Sequence, residues 1–91
     1  MEGGSTTKKY VDVTVEFDPL GQMFPRNIRW EDGHCYEIDR VLGMRPSFSR
    51  KSGGQGDLYT VMIGGREAHL YFERAAESFT GSLGRWFVES R

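Results

Sequence analysis

The chain has a single cysteine, Cys35, so no internal disulfide can form and a small disulfide-stapled scaffold is excluded. No apolar run approaches the roughly 18 residues of a membrane-spanning helix. The opening Met1-Glu2-Gly3-Gly4-Ser5 lacks the basic-then-apolar pattern of an export signal. Together these absences predict a cytoplasmic protein with no membrane partner. An excess of positive charge is missing as well: 12 Lys and Arg stand against 13 Asp and Glu, for a net charge of -1. General affinity for polyanions rests on clustered bases in a strongly basic domain, and that footprint is absent. Among the bases lysine is scarce, three against nine arginines, a bias that suits cross-strand ion pairs on a β surface.

What is present is apolar bulk. Of 91 residues, 37% are hydrophobic and 13% aromatic, too rich in large side chains for a disordered chain. The length fits one domain and leaves no room for a second. Residues 1–7 are Gly, Ser, Thr and charge without periodicity and read as a mobile leader; residues 8–91 read as the single domain.

Within 9–17 the alternation is strict, with Val11, Val13, Val15 and Phe17 on one face and Tyr10, Asp12, Thr14 and Glu16 on the other. This is the pattern of a half-buried strand. Asp18-Pro19-Leu20-Gly21 supplies a turn, and a second strand covers 23–30. Two loops compete for the next reversal. A two-residue Asp-Gly loop would set Tyr36 and Ile38 on the opposite face from Ile28. A three-residue loop, Glu31-Asp32-Gly33 with the glycine in the left-handed bulge position, pairs Trp30 with His34, Ile28 with Tyr36 and Arg26 with Ile38. The apolar faces then agree, so the three-residue loop is predicted, followed by a third strand over 34–44.

Residues 45–56, with Pro46, three serines, three glycines and the bases Arg45, Arg50 and Lys51, read as a long loop. Tyr59, Val61 and Ile63 then alternate up to Gly64-Gly65, and Ala68, Leu70 and Phe72 return. A two-residue turn there pairs Val61 with Ala68, Tyr59 with Leu70, and Thr60 with His69. Between Arg74 and Gly84 the alternation breaks. Ala75, Ala76, Phe79 and Leu83 recur at helical spacing, which predicts a short helix, and a last strand covers 85–89. The predicted fold is all-β: a small six-stranded antiparallel barrel or strongly curled sheet, with one short helix before the last strand.

The segments Trp30-Glu31-Asp32-Gly33, Tyr36-Glu37-Ile38-Asp39-Arg40-Val41-Leu42, Gly53-Gly54-Gln55-Gly56, Tyr59-Thr60 and Arg85-Trp86-Phe87-Val88-Glu89 together resemble a small bacterial family of uncharacterised all-β proteins. The resemblance spans 11–89 and is carried by the combination of motifs. It implies an all-β fold and brings no activity, cofactor or site residue with it. The chain departs from that pattern between Phe72-Glu73 and Arg85, where relatives connect more directly, so the predicted helix is particular to this chain.

Motifs with possible chemistry are few. Lys51-Ser52-Gly53-Gly54-Gln55-Gly56 has the residues of a phosphate loop in the wrong order, since the glycines must precede Lys-Ser and a helix must follow. A weaker anion nest around Arg50 and Lys51 stays open, against the simpler reading of a flexible crossover. His34 and Cys35 are strand neighbours that point to opposite faces, and His69 lies on another hairpin, so neither a zinc site nor a Cys-His nucleophile assembles. Asp39-Arg40 and Glu73-Arg74 read as cross-strand ion pairs. No acid-base set faces a cleft, so no enzyme, cofactor or metal is predicted.

Two functional readings follow. The first is a non-catalytic interaction module, self-associating or docking on another protein, anchored by the aromatic strand end Trp86-Phe87; one of these two must lie outside the core or under the helix. The alternative is a small barrel binding RNA or single-stranded DNA through Arg45, Arg50 and Lys51 of the 45–56 loop with a neighbouring aromatic. The balanced charge favours the protein partner.

Overall fold

The computed structural model describes residues 7–48, 55–75 and 82–90. Over these the protein is all-β, with seven strands: β1 (Thr7–Phe17), β2 (Met23–Arg29), β3 (Cys35–Glu37), β4 (Arg40–Phe48), β5 (Gln55–Ile63), β6 (Arg66–Arg74) and β7 (Gly84–Ser90). They form one antiparallel sheet in the order β3-β2-β1-β7-β6-β5-β4. The two edge strands, β3 and β4, are consecutive in the chain.

That coincidence comes from two segments that each serve two parts of the sheet. β1 pairs with β7 over 7–11 and with β2 over 12–17, bending at a bulge between Thr14 and Val15. The segment 35–48 does the same at Ile38 and Asp39. The Ile38 N–H donates to the Arg26 carbonyl beside β3 at 2.8 Å, and the next N–H, of Asp39, donates to the Met62 carbonyl of β5 at 2.8 Å. One bend thereby draws opposite ends of the sheet together, and the sheet curls into a half-barrel. Bulges and strand switches are the usual means of such closure.

Alternation fills the interior. Ile28, Ile38, Tyr59, Val61, Leu70, Phe72 and Trp86 form the buried core, with Val11, Val13, Val15 and Val88 packed against it. Both predicted hairpin registers are present. The Trp30 N–H donates to the His34 carbonyl at 2.8 Å, Gly33 sits at φ +91°, and Ile28 pairs with Tyr36. At the second hairpin Gly64 and Gly65 have φ of +58° and +80° and Val61 pairs with Ala68, the two positive φ values that a twisted two-residue turn requires.

Four expectations need correction. The third strand is two, β3 and β4, because the chain changes partner at Ile38, which raises the strand number from six to seven. Both described ends of the 45–56 loop are strand, and 49–54 lie outside the described residues. β4 runs on to Phe48, with Arg45 opposite Leu58 and Pro46 opposite Asp57, and β5 begins at Gln55. Proline is compatible with an edge strand, whose outer side has no ladder to complete. No helix occurs among the described residues: β6 continues to Arg74, the Ala75 N–H donates to the Leu83 carbonyl at 3.0 Å, and β7 starts at Gly84. The rest of the predicted helix, including Ala76 and Phe79, lies outside the described residues, as do 1–6 of the leader. Phe17, expected with the buried valines, is 53% exposed because β1 has passed the end of the core there.

Candidate functional site

The predicted site residues separate in the structure. Arg50 and Lys51 lie outside the described residues. Arg45 is on the edge strand β4, exposed, with its charge near Tyr71. Trp86 and Phe87 do occupy opposite faces of β7, yet both are buried, at 7% and 6% exposure. The aromatic anchor inferred from the sequence is therefore not a surface feature. Trp86 packs in the core against Tyr59 and Phe72, ring centroids 5.2 and 4.9 Å away. Phe87 is covered on the outer face by side chains rather than by a helix. Tyr71 stacks on it at 4.9 Å, Tyr10 meets it edge-on at 5.7 Å, and Lys8 Nζ lies 4.8 Å from its centroid. Long amphipathic side chains can bury an aromatic ring in this way while their polar ends stay wet.

One carboxylate organises that cover. Glu73 accepts hydrogen bonds from Lys8 Nζ at 2.8 Å, the Tyr10 hydroxyl at 3.0 Å and Arg85 Nη2 at 3.2 Å, tying β1, β6 and β7 together. The Lys8 bond outweighs burial and, with Tyr10 and the two cations, holds the Glu73 carboxyl below its usual range. Two of the cations on this face are thus neutralised. Tyr71 is pushed the other way: burial raises its hydroxyl, and a hydrogen bond with Glu89 adds to the shift.

Of the expected cross-strand ion pairs, those of Glu73 and Arg74 are present, with partners other than each other, whereas Asp39 and Arg40 make none among the described residues. Glu73 takes Lys8 and Arg85, and Arg74 takes Asp57. His34 Nδ1 lies 2.9 Å from Asp32, His69 Nε2 lies 3.9 Å from Glu67, and Cys35 is exposed. Among the described residues no three of His, Cys, Asp and Glu converge as a metal ion would need.

The more suggestive surface is one the sequence did not disclose. Where the half-barrel opens beyond the 18–21 turn, a cavity of about 660 Å³ is lined by Phe17, Met23, Val41, Met44, Phe72 and Leu83. Phe17, Met44 and Leu83 are more than half exposed, at 53%, 55% and 66%, so three large apolar side chains rim one opening. In its wall the buried Asp57 accepts two bonds from Arg74 Nη2, at 3.0 and 3.2 Å. Arg74 is itself 55% exposed. Burial, with the Asp57 charge, raises the Tyr59 hydroxyl nearby. A signal for this wall was available: alternation puts Asp57 with Tyr59 and Val61, and Arg74 with Phe72 and Leu70, so both charges fall on the inner face of adjacent strands. Nothing local marks Phe17, Met44 and Leu83 as neighbours, since they come from β1, β4 and the approach to β7.

Of the segments singled out in the sequence, 30–33 contain the turn, 36–42 the bend at Ile38 and 85–89 the buried pair on β7. No helix of the described residues is long and apolar enough to cross a membrane. No protein-family model, no curated protein and no solved structure matches this chain.

Proposed function

We propose that the protein is a non-catalytic interaction module that docks on another protein through the open mouth of the half-barrel. The observation that carries this reading is the convergence of Phe17, Met44 and Leu83, each more than half exposed, around one cavity. Exposed apolar side chains scattered singly need no explanation, whereas several around one concavity are characteristic of an interface. The half-exposed Arg74 beside them supplies a polar group to orient a partner. A protein partner is favoured over nucleic acid because the net charge is -1 and the outer-face cations Lys8 and Arg85 are paired with Glu73, so these two are not open to phosphate contacts.

The test is a pull-down from cell lysate, with and without nuclease, comparing the native chain with a Phe17→Ser/Met44→Ser double variant shown by circular dichroism to be folded. The reading expects a partner that survives nuclease and is lost with the variant. Capture abolished by nuclease would replace it with the nucleic-acid reading, and capture indifferent to the double substitution would move the interface elsewhere. Sedimentation of the purified chain separates self-association: a dimer dispersed by the same substitutions would make a second copy the partner.

A further inference from the structure

The charged lining residues of the mouth are Asp57 and Arg74, and they are unequally placed. The Asp57 side chain is 10% exposed and the Arg74 side chain 55%. Solvent at the mouth therefore meets the guanidinium, while the carboxylate stays behind it. Both bonds to Asp57, at 3.0 and 3.2 Å, come from Nη2 of Arg74. A guanidinium has N–H donors on all three nitrogens, and among the described residues no hydrogen bond engages Nε or Nη1 of Arg74. Across the β6–β7 ladder Arg74 faces Gly84, so no cross-strand side chain covers it from β7.

We propose, on the footing that the mouth is the docking site, that it recognises a partner segment in which a glutamate or aspartate lies beside a large apolar residue. The carboxylate meets Arg74, and the apolar side chain enters the ring of Phe17, Met44 and Leu83. Two observations on the molecule specify that occupant.

The first is the way Arg74 is held. A long surface side chain loses rotamer freedom when it binds a partner, but here Asp57 already fixes one nitrogen of the guanidinium. The N–H donors of Nε and Nη1 are left for another acceptor, and their charge makes a carboxylate the strongest one a protein offers. A carboxylate buried in an ion pair is a poor source of stability, because apolar residues of similar volume serve as well or better. Asp57 is the one charged residue buried among the described residues, and holding Arg74 in place at the mouth accounts for it.

The second is the shape of the opening. Phe17, Met44 and Leu83 rim the cavity of about 660 Å³ and are each more than half exposed, so the mouth covers one side of an apolar group and leaves the other to water. A protein segment brings its own body to cover that side. A free lipophilic acid would not be enclosed as small ligands usually are. One guanidinium also suits one carboxylate rather than the run of phosphates of a nucleic acid. Since Asp57 balances the Arg74 charge, recognition comes at contact and not by long-range attraction.

The probe is the capped peptide Ser-Leu-Glu-Phe-Ser, titrated into the isotopically labelled full chain beside versions with glutamine or lysine in place of the glutamate. Binding is read by backbone amide NMR and by the Arg74 Nε–H resonance. Saturable shifts are expected at Phe17, Met44, Leu83 and that Nε–H. The glutamate peptide should bind about three- to fivefold more tightly than the glutamine peptide at low salt, the upper range of an exposed ion pair, and the lysine peptide more weakly than both. Added salt should shrink the difference. All three peptides meet the same native chain, so this comparison needs no variant to fold. An Asp57→Asn/Arg74→Gln double variant, which leaves no buried carboxylate unpaired, should bind the glutamate and glutamine peptides equally; a preference that persists on the folded variant would overturn the assignment to Arg74. Equal affinities on the native chain with shifts at the mouth would overturn the carboxylate and keep the mouth as a docking site. No saturable shift at millimolar peptide would overturn it as well, while the pull-down decides the mouth separately. Decanoate binding more tightly than the glutamate peptide at the same residues would replace the protein segment with a small lipophilic acid, and mouth shifts that grow with protein concentration alone would replace it with a second copy.

Discussion

Gly56 gives the sharpest test of how β5 and β6 approach each other. It stands opposite Glu73 on β6 and Ser47 on β4, and its φ is not among the positive ones, so its backbone conformation does not require glycine. Space does. A Cβ at this position would collide with the carbonyl oxygen of Phe72 and come within 3.2 Å of the Glu73 Cα. Both are backbone atoms of the neighbouring strand, so relief requires the strands to separate rather than a side chain to turn. Overpacking costs about 1–3 kcal/mol where neighbours can yield, and against backbone the upper end, about 3 kcal/mol, is expected for Gly56→Ala. A chain of this length has roughly 5–14 kcal/mol in total, so the loss is between about a fifth and more than half. Gly43→Ala is the matched control, since it lies in β4 with nothing within 4 Å of its Cβ; it should gain up to about 0.5 kcal/mol by restricting the unfolded chain. Urea unfolding followed by far-UV circular dichroism reads both. With a slope of about 1 kcal/mol/M, the Gly56 variant should lose close to 3 M in midpoint and the Gly43 variant none. A Gly56→Ala midpoint within 0.5 M of the native chain, an allowance of about 0.5 kcal/mol at that slope, would refute the close approach, and with it the β5–β6 register at that end.

Three further outcomes follow from the same geometry. Phe87→Ala and Trp86→Ala should each destabilise by about 3–4 kcal/mol, although they lie on opposite faces; a loss below about 1 kcal/mol for Phe87 in the same urea assay would mean that its cover of Lys8, Tyr10 and Tyr71 does not persist in solution. The Glu73 carboxyl titrates below its usual value in the folded chain, so its contribution is complete above the unfolded value near pH 4.3 and is lost as pH falls through the lowered folded value. Glu73→Gln should cost about 1–3 kcal/mol at neutral pH and flatten the acid limb of melting temperature against pH, whereas an unchanged acid limb would assign that limb to other carboxylates. Gly64→Asn keeps a residue that tolerates φ +58° and should leave thermal stability unchanged or raise it by about 0.5 kcal/mol; a loss above about 1 kcal/mol would contradict the turn type.

The parts of this fold that the sequence discloses are those set by local rules. Alternation in 9–17 and 59–72, with Gly33 and Gly64-Gly65 between the strands, determines two registers without reference to the rest of the chain. Long-range partner choice is what alternation leaves open. Residues 34–44 look like one strand because the apolar period persists across Ile38, while the change of partner there depends on β5 arriving on the other side. Pro46 and Gly56 carry the composition of a loop, yet each suits its place: proline an outer edge, glycine a tight approach. Ala75 and Leu83 have helical spacing, yet they pair across the β6–β7 connection. The candidate mouth was illegible for the same reason, since Phe17, Met44 and Leu83 become neighbours only once the sheet has curled.

The positions of the two openings follow from the closure itself. A sheet curled by letting strands change partners must end one ladder wherever another begins. β1 leaves β7 at Val11 to join β2, and β7 remains with β1 as far as Ser90 while leaving β6 at Tyr71. Where β6 and β7 diverge, a cavity of about 690 Å³ has Leu70, Tyr71 and Val88 among its lining residues. Past the bend at Ile38 the chain leaves β2, which β3 had paired, and follows β5 as β4; Met44 of β4 joins Phe17 and Leu83 around the other cavity. On the outer face the opposite holds: Glu73 draws Lys8, Tyr10 and Arg85 over Phe87, so charge and aromatic surface that could have met a polyanion are engaged within the chain. Exposed apolar side chains gather instead at the mouth, where Phe17, Met44 and Leu83 are more than half exposed, and a binding function for this fold is therefore sought there rather than on the arginines of its outer face.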